Sequence, residues 1–558
     1  MSFFRQLYPR QPVTHVQLPN MHEDSGAEWE SEALLLRPGD RQPNKRRALE
    51  FSQSRLFIRL ALALILVALG LLLALLVPSK HIPRKQTTKP SNVAELETPD
   101  FFLPAARDSV AVLRARQSAT LAQAAARYTL KTGRTPPRNY DLWFQFAKEH
   151  DCLIDEYDQI HRDFKPFYQL AKEDPVFFQR MIDAASKAIR DHDKEMARYE
   201  IKDGTVTRTP GAQTAYAGDL PITLGKFAHI LPDLTVIING RDQPRVVFDV
   251  RQTGRAIRER ALKLTEKAAF DIVPKPESWQ YFAKQPGCTI MRSPAGFPEV
   301  ASGDSAFLIS SAKSDFTEDL YPVLSMAKIS PCFADILFPI QYYYMRSWWY
   351  RKFAYPNNIA WEDKKSQLYW RGIASGGQIV HSNYHNFTRF KVADLSRAHP
   401  DEIDAKITSF ANELCAPEVC DRSAIVAEYG IDEMRTSKEA VYGYKYLLDV
   451  DGTTFSGRFL GLLKSGSLVF KMTLFEEYFN GWLRPYEHYI PVASDLSDLL
   501  EKLAWAKENE AEARLIQERG REMTEQVMTD EQNDCYFSLV LLEWARLQEI
   551  SRNATGFH

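Results

Sequence analysis

Between Asp449 and Arg458 the chain brings together two carboxylates, a run of small and hydroxyl-bearing residues and a guanidinium: Asp449-Val450-Asp451-Gly452-Thr453-Thr454-Phe455-Ser456-Gly457-Arg458. A small-residue loop that leaves a strand and opens a helix turns several backbone amides, and the positive end of the helix dipole, toward one spot. That is a natural place for a phosphate. Arg458 falls in the first helical turn, where a cation is disfavoured unless something negative lies near, and a guanidinium grips phosphate through two parallel hydrogen bonds. The plainer reading is a surface arginine paired with a neighbouring carboxylate. A second carboxylate, Asp242, follows Gly240-Arg241 and precedes Gln243-Pro244. Taken alone it reads as a loop aspartate making a turn before the proline.

The elements that must position these residues are legible in the apolar pattern. Tyr444 to Val450 reads as a buried strand, Ser456 as the N-cap of a helix with Phe459, Leu460, Leu462 and Leu463 as its stripe, and Ser465-Gly466 as its end. Leu468-Val469-Phe470-Lys471 begins the next strand. Leu234 to Asn239, Phe307 to Ser310 and Leu368 to Gly372 have the same short β-branched or aromatic form. Strands spaced by helical segments imply βαβ units and parallel sheets. From Ser494 through Met528 the spacing predicts exposed helix, with Leu496, Leu499, Leu500 and Leu503 on one face.

At 558 residues the chain suits two to four domains, and 70 Lys and Arg against 72 Asp and Glu leave no field that would hold it on nucleic acid. The composition, 45% hydrophobic and 25% charged, excludes wholesale disorder and a multi-span transporter. One stretch departs from this average. Leu60 to Val77 runs eighteen residues without a polar side chain, near the ~20 needed to cross a bilayer core. A membrane span over residues 56–77 follows. The flanking charges slightly favour a cytoplasmic N-terminus. All six cysteines, Cys152, Cys288, Cys332, Cys415, Cys420 and Cys535, lie after the span, as do the acceptor patterns at Asn386 and Asn553, which suits an oxidising lumen. Cys415 and Cys420 read as a local disulfide. A bridge between Cys152 and Cys535 would tie the C-terminus back to the start of the luminal part, although spacing does not fix connectivity.

Several ordered motifs together resemble the fungal capsule-associated glycosyltransferases, which share glycosyltransferase family 90 with the animal protein O-glucosyltransferases. They are Lys445 to Gly452, Ser456 to Phe459, Leu463 to Lys471 and Pro485 to Val492, preceded by Ile238 to Pro244, Asp335 to Pro339 and Tyr369 to Gly372. The resemblance runs from about residue 140 to 545. It implies an α/β architecture of GT-B type, two Rossmann-like domains facing a cleft, behind a single transmembrane helix and a helical stem. On that reading residues 1–55 are a cytoplasmic tail, 56–77 the span, 78–139 the stem and linker, and 140–360 the acceptor domain carrying the base. Residues 361–530 are the nucleotide-sugar domain, and 531–558 a C-terminal helix and tail.

The resemblance also implies inverting transfer from a UDP-sugar, with Asp242 as the general base. Arg371 and Arg458 would neutralise the diphosphate, the loop Asp451, Gly452, Thr453, Thr454, Phe455, Ser456 and Gly457 would cradle it, and Ser366 and Glu477 would contact the donor, the latter at the ribose. No metal or cofactor is required, since the UDP-sugar is a co-substrate. The acceptor is a glycan or protein hydroxyl and the transferred sugar xylose or glucose. The expected location is the Golgi membrane as a single-pass type II protein, with the endoplasmic reticulum second.

Two departures bear on specificity. Thr453-Thr454-Phe455 stands where family members often carry Asn and a small or aromatic residue, and the cysteine pattern of the animal enzymes before the base is missing. Two other readings stay open. One is a membrane-tethered binding protein that keeps the fold without catalysis. The other is a metal-dependent GT-A enzyme using Asp449-Val450-Asp451. His488 reads as a packed or hydrogen-bonded histidine.

Overall fold

The computed structural model describes residues 109–191, 196–208, 219–246, 320–330, 333–345, 359–376, 381–410, 417–431 and 438–556, with a few single positions and the short pair at 272–273 and 316–317 between them. The expected span at 56–77 and the strand read at 307–310 lie outside the described residues. Among the described residues, no helix is long and apolar enough to cross a membrane.

Five helices open this region: α1 (Val110–Ala115), α2 (Leu121–Thr132), α3 (Tyr140–Glu149), α4 (Asp158–Glu173) and α5 (Phe177–Asp191). The first two fall in the segment read as a stem, yet they are built into the folded body. Tyr128 of α2 is buried and donates to Glu543, and Arg114 of α1 donates to the Gln526 carbonyl at 2.7 Å. The Thr120–Gln123 capping box and Gly133 in the left-handed conformation bound α2, as its sequence requires.

Next come β1 (Met196–Lys202), β2 (Thr205–Arg208), α6 (Leu220–Phe227), β3 (Leu234–Asn239), the pair β4 (Ile272–Val273) and β5 (Phe316–Thr317), then β6 (Leu324–Ser325) and β7 (Ile336–Leu337). They form a sheet of order β2-β1-β3-β6-β7, antiparallel at its β1 end and parallel from β3 onward, with β4 and β5 pairing separately.

The second half contributes β8 (Lys365–Ala374), α7 (Thr388–Ala398), β9 (Ile403–Phe410), α8 (Arg422–Tyr429), β10 (Tyr444–Val450), α9 (Phe459–Leu463), β11 (Leu468–Met472), β12 (Ile490–Pro491), α10 (Leu499–Glu508), α11 (Glu510–Gln526) and α12 (Asp530–Thr555). Here every strand pair is parallel, in the order β12-β11-β10-β8-β9. Leu368, Trp370, Tyr446, Leu448 and Phe470 face one core with Phe390, Leu499 and Leu503, while Tyr369, Leu447 and Val469 join the core of the first half. Burial on both faces explains why β10 and β11 read as near-continuous apolar runs rather than alternating, broken inside by the facing pair Asp449 and Lys471.

The long α12 leaves the second sheet behind and packs on α3, α4, α5 and β3. A disulfide between Cys152 and Cys535 fastens it there, and a second between Cys415 and Cys420 closes a local loop, the two pairings considered from the sequence.

Candidate functional site

In an all-parallel sheet whose strands follow the order 2-1-3-4-5 in chain sequence, adjacent strands send their connections to opposite faces at one point, and a crevice opens there beyond the carboxyl ends. In this sheet that point lies between β8 and β10. The two exits meet in it. Ala374-Ser375-Gly376 leaves β8, with Gly376 at φ +115° close to the Gly452 carbonyl, and Asp451 to Arg458 leaves β10.

The β10 exit loop is held mainly from below. Asp451 Oδ2 accepts from the Leu474 amide at 2.7 Å, the Gly452 amide donates to the Thr454 carbonyl at 2.7 Å, and the buried Phe455 packs near the Tyr342 ring. Ser456 does not cap the helix as expected. Its hydroxyl donates to Asp449 Oδ1, and α9 starts three residues later, after Arg458 and without a side-chain cap. The reason is the demand of a fully buried carboxylate. Asp449 is satisfied by Ser456 on one oxygen and by Lys471 Nζ, 3.2 Å away, on the other, and a buried charge left unpaired is far more costly than an uncapped helix turn.

Arg458 is the residue left unfinished. Its Nη1 donates to the Arg371 carbonyl at 2.6 Å, but its Nη2 is buried and has no hydrogen-bond partner among the described residues. In the same loop Asp451 Oδ1 is likewise buried and unpartnered, and burial pushes the Asp451 carboxyl up to about 7. A donor and an acceptor left open at one strand exit suit a ligand that carries both anionic oxygens and hydroxyls.

Arg371 does not offer its guanidinium to this loop. On β8 it lies over the Tyr369 ring and pairs with Asp404 of β9 at 2.7 Å, while the Tyr444 hydroxyl donates to the other Asp404 oxygen at 2.5 Å. Burial alone would raise the Asp404 carboxyl, but these two donors outweigh it and hold it below the usual range. In this structure a carboxylate on the adjacent strand occupies the Arg371 side chain, and its carbonyl reaches Arg458.

Arg389, in the first turn of α7, reaches both strand exits. Its Nε donates to the Asp451 carbonyl at 2.9 Å and its Nη1 to the Ile373 carbonyl at 2.8 Å, so it laces the two strand exits together. A Cβ built on Gly452 would stand 2.7 Å from Arg389 Nη2, which explains the glycine there. Burial, and secondly the charge of Arg458, push the Arg389 guanidinium below its ordinary value. Two cations held this close favour an anion between them. One part of the signal that singled out Arg458, a cation in the first turn of a helix, also holds for Arg389.

Two further residues of the expected donor set lie apart from the loop. Ser366 lies exposed near the amino end of β8, where it hydrogen-bonds Tyr446, whereas the loop is at the carboxyl ends of β8 and β10. Glu477 is fully covered, accepts from the Tyr343 hydroxyl and lies near Lys471, one layer beneath the loop rather than facing a ribose. Burial pushes its carboxyl up to about 8. His488 is buried, with Nδ1 accepting from the Arg484 amide at 2.9 Å, and Gly520 lets α11 pass against the His488 carbonyl, where a Cβ would come within 2.3 Å. Among the described residues, no group of three or more His, Cys, Asp or Glu is placed to hold a metal ion.

Asp242 stands half-buried just beyond β3, at the carboxyl end of the first sheet. Its turn is fixed from behind. Asn239 accepts from the Arg241 amide at 3.1 Å and donates to the Gln243 carbonyl at 2.6 Å, and the fully buried Asp335 accepts from the Arg245 and Val246 amides at 2.8 and 2.9 Å and from Ser325 Oγ at 2.6 Å. The Asp335 carbonyl accepts from Lys328 Nζ, which also pairs with Asp163 at 2.6 Å, and the Lys328 backbone forms a bridge with Glu476. Lys328 lies just beyond the carboxyl end of β6 and Glu476 just beyond that of β11, so the chain leaving the two sheets meets at this bridge. The Asp242 turn and the Asp451–Arg458 loop are the exits on either side.

One sheet carries a carboxylate at its exit and the other, all parallel, carries two guanidiniums at its switch point, in a mixed α/β fold. Residues 331–555 match the sequence profile described as Glycosyl transferase family 90. Over 189 residues it is 33% identical to Protein O-glucosyltransferase 2 of Danio rerio, covering 34% of each chain, and over 190 residues 30% identical to Protein O-glucosyltransferase 3 of Homo sapiens, again 34% of each. It is 31% identical to Protein O-glucosyltransferase 1 of Rattus norvegicus over 35% of this chain and 45% of that protein. The chain thus spans about a third of the length of the first curated relatives it matches.

Proposed function

We propose that the protein is a type II membrane glycosyltransferase of GT-B architecture that transfers a sugar, xylose or glucose, from a UDP donor to a glycan or protein hydroxyl with inversion. Asp242 takes the proton from the acceptor hydroxyl as that oxygen attacks the anomeric carbon, and UDP departs from the opposite face. Arg458, with Arg389 beside it, neutralises the charge that grows on the leaving diphosphate. The loop from Asp451 through Gly457 lies against the same group. No cofactor or metal is needed for these steps, because the guanidiniums supply the positive charge.

The observation that carries this reading is Arg458 Nη2, buried without a partner among the described residues at the switch point of the parallel sheet. The relatives named as protein O-glucosyltransferases support a sugar acceptor that is a hydroxyl. The disulfides Cys152–Cys535 and Cys415–Cys420 suit the lumen of the secretory pathway, and the Golgi membrane is the proposed location. The test is calorimetric binding of a panel of UDP- and GDP-sugars to the full chain in detergent. One UDP-sugar binds and turns over, and Arg458→Ala loses it. Absence of any nucleotide-sugar binding by folded protein overturns the reading in favour of a tethered, non-catalytic binding protein.

A further inference from the structure

Beneath the β10 exit loop lies a buried cation that no step above uses. Lys471 is 4% exposed, stands directly opposite Asp449 in the β10–β11 register and pairs with Asp449 Oδ2 at 3.2 Å. Its ammonium also rests 3.8 Å from the centre of the Phe459 ring, the first residue of α9. Burial would lower the Lys471 ammonium, but Asp449, Glu477 and Asp451 around it hold it above its ordinary value, so it is charged. The other Asp449 oxygen accepts from Ser456. Lys471 therefore grips the loop at two points on either side of Arg458: at Ser456 through Asp449, and at Phe459 directly. The Arg458 side chain itself has only one hydrogen-bonded end, its Nη1 on the Arg371 carbonyl.

We propose that Lys471 is the positioning residue of the donor site, setting the path of residues 456–459 so that the free edge of the Arg458 guanidinium meets the diphosphate; this rests on the donor reading above. Lys471 touches no substrate and acts only through Asp449, Ser456 and Phe459. A buried lysine serving stability alone would change how much protein is folded. A positioning lysine changes what the folded protein binds.

The experiment titrates UDP into the full chain in detergent, comparing wild type, Lys471→Met, Ser456→Ala and the double variant, each first checked for fold by near-ultraviolet circular dichroism. Lys471→Met is expected to weaken UDP binding about tenfold or more, and Ser456→Ala about three- to tenfold, the range of charge-assisted hydrogen bonds set out of place. With saturating donor, kcat changes much less than KM. The double variant is no weaker than Lys471→Met, because both changes break one chain of contacts. Wild-type binding together with unchanged UDP affinity in folded Lys471→Met overturns the inference while leaving the donor reading standing. If Lys471→Met does not fold, unchanged affinity in Ser456→Ala overturns it. Failure of the wild type to bind UDP defeats the donor reading and this inference with it.

Discussion

The two strand exits on either side of the Lys328–Glu476 bridge are built on opposite plans. The Asp242 turn is held through its own backbone. Asp335 takes two of its amides and Asn239 both an amide and a carbonyl, so the turn is fixed whatever ligand is present. The Asp451–Arg458 loop is held largely by side chains reaching up from the strands, and it keeps Arg458 Nη2 and Asp451 Oδ1 buried and unpaired. On the proposed reading Asp242 is a base that must be in place before the acceptor arrives, which favours the first plan. A binding loop needs open valences for its ligand to complete.

This contrast is sharpest in variants. Asp242→Asn should lower transfer about a thousandfold while UDP affinity stays within about twofold, as read by turnover alongside calorimetry. Equal loss of both would erase the distinction between the exits. Arg389→Ala should weaken UDP binding about tenfold, whereas Arg371→Ala should leave it within about threefold and instead lower stability by about 1 kcal/mol, since the Arg371–Asp404 pair is only partly buried. The reverse order would restore Arg371 to the diphosphate.

A smaller effect follows from the Asp451 carboxyl, which burial raises to about 7. Its folded value lies above that of the unfolded chain, so its contribution to stability is full below the ordinary aspartate range and is lost as pH rises through about 7. The ionised form also opposes a diphosphate. UDP affinity of the wild type should fall by about three- to tenfold between pH 6 and 8 relative to Asp451→Asn, and parallel profiles would show that Asp451 does not titrate in the loop. Least of all, Ser366→Ala should change neither binding nor turnover by more than about twofold. A marked loss of UDP affinity would bring the amino end of β8 back into the site.

The strands that carry the site were the most legible part. Tyr444 to Val450 and Leu234 to Asn239 are apolar on both faces and bounded by small or polar residues, and both strands have those limits in the structure. The loop between Asp451 and Arg458 was legible for the same reason. Side-chain direction was not. Arg371 and Arg389 look alike in the sequence, and what separates them is Asp404, thirty-three residues from Arg371 but one strand away in space. Ser456 looked like a cap because the buried charge of Asp449 beneath it depends on the β10–β11 register. Glu477 looked accessible because nothing local reveals that Tyr343 covers it.

The placement of α12 bears on how the protein is made. Trp544 of this helix donates to the Thr235 carbonyl at 2.8 Å, and Trp143 of α3 donates to the Cys535 carbonyl at 3.0 Å, so segments synthesised first wait on one that lies 309 and 392 residues further along. Domains usually fold in order as they leave the ribosome. Here the amino-terminal layer emerges with its apolar inner face uncovered and must be shielded until α12 arrives. Late truncations should therefore disable the early half of the molecule first.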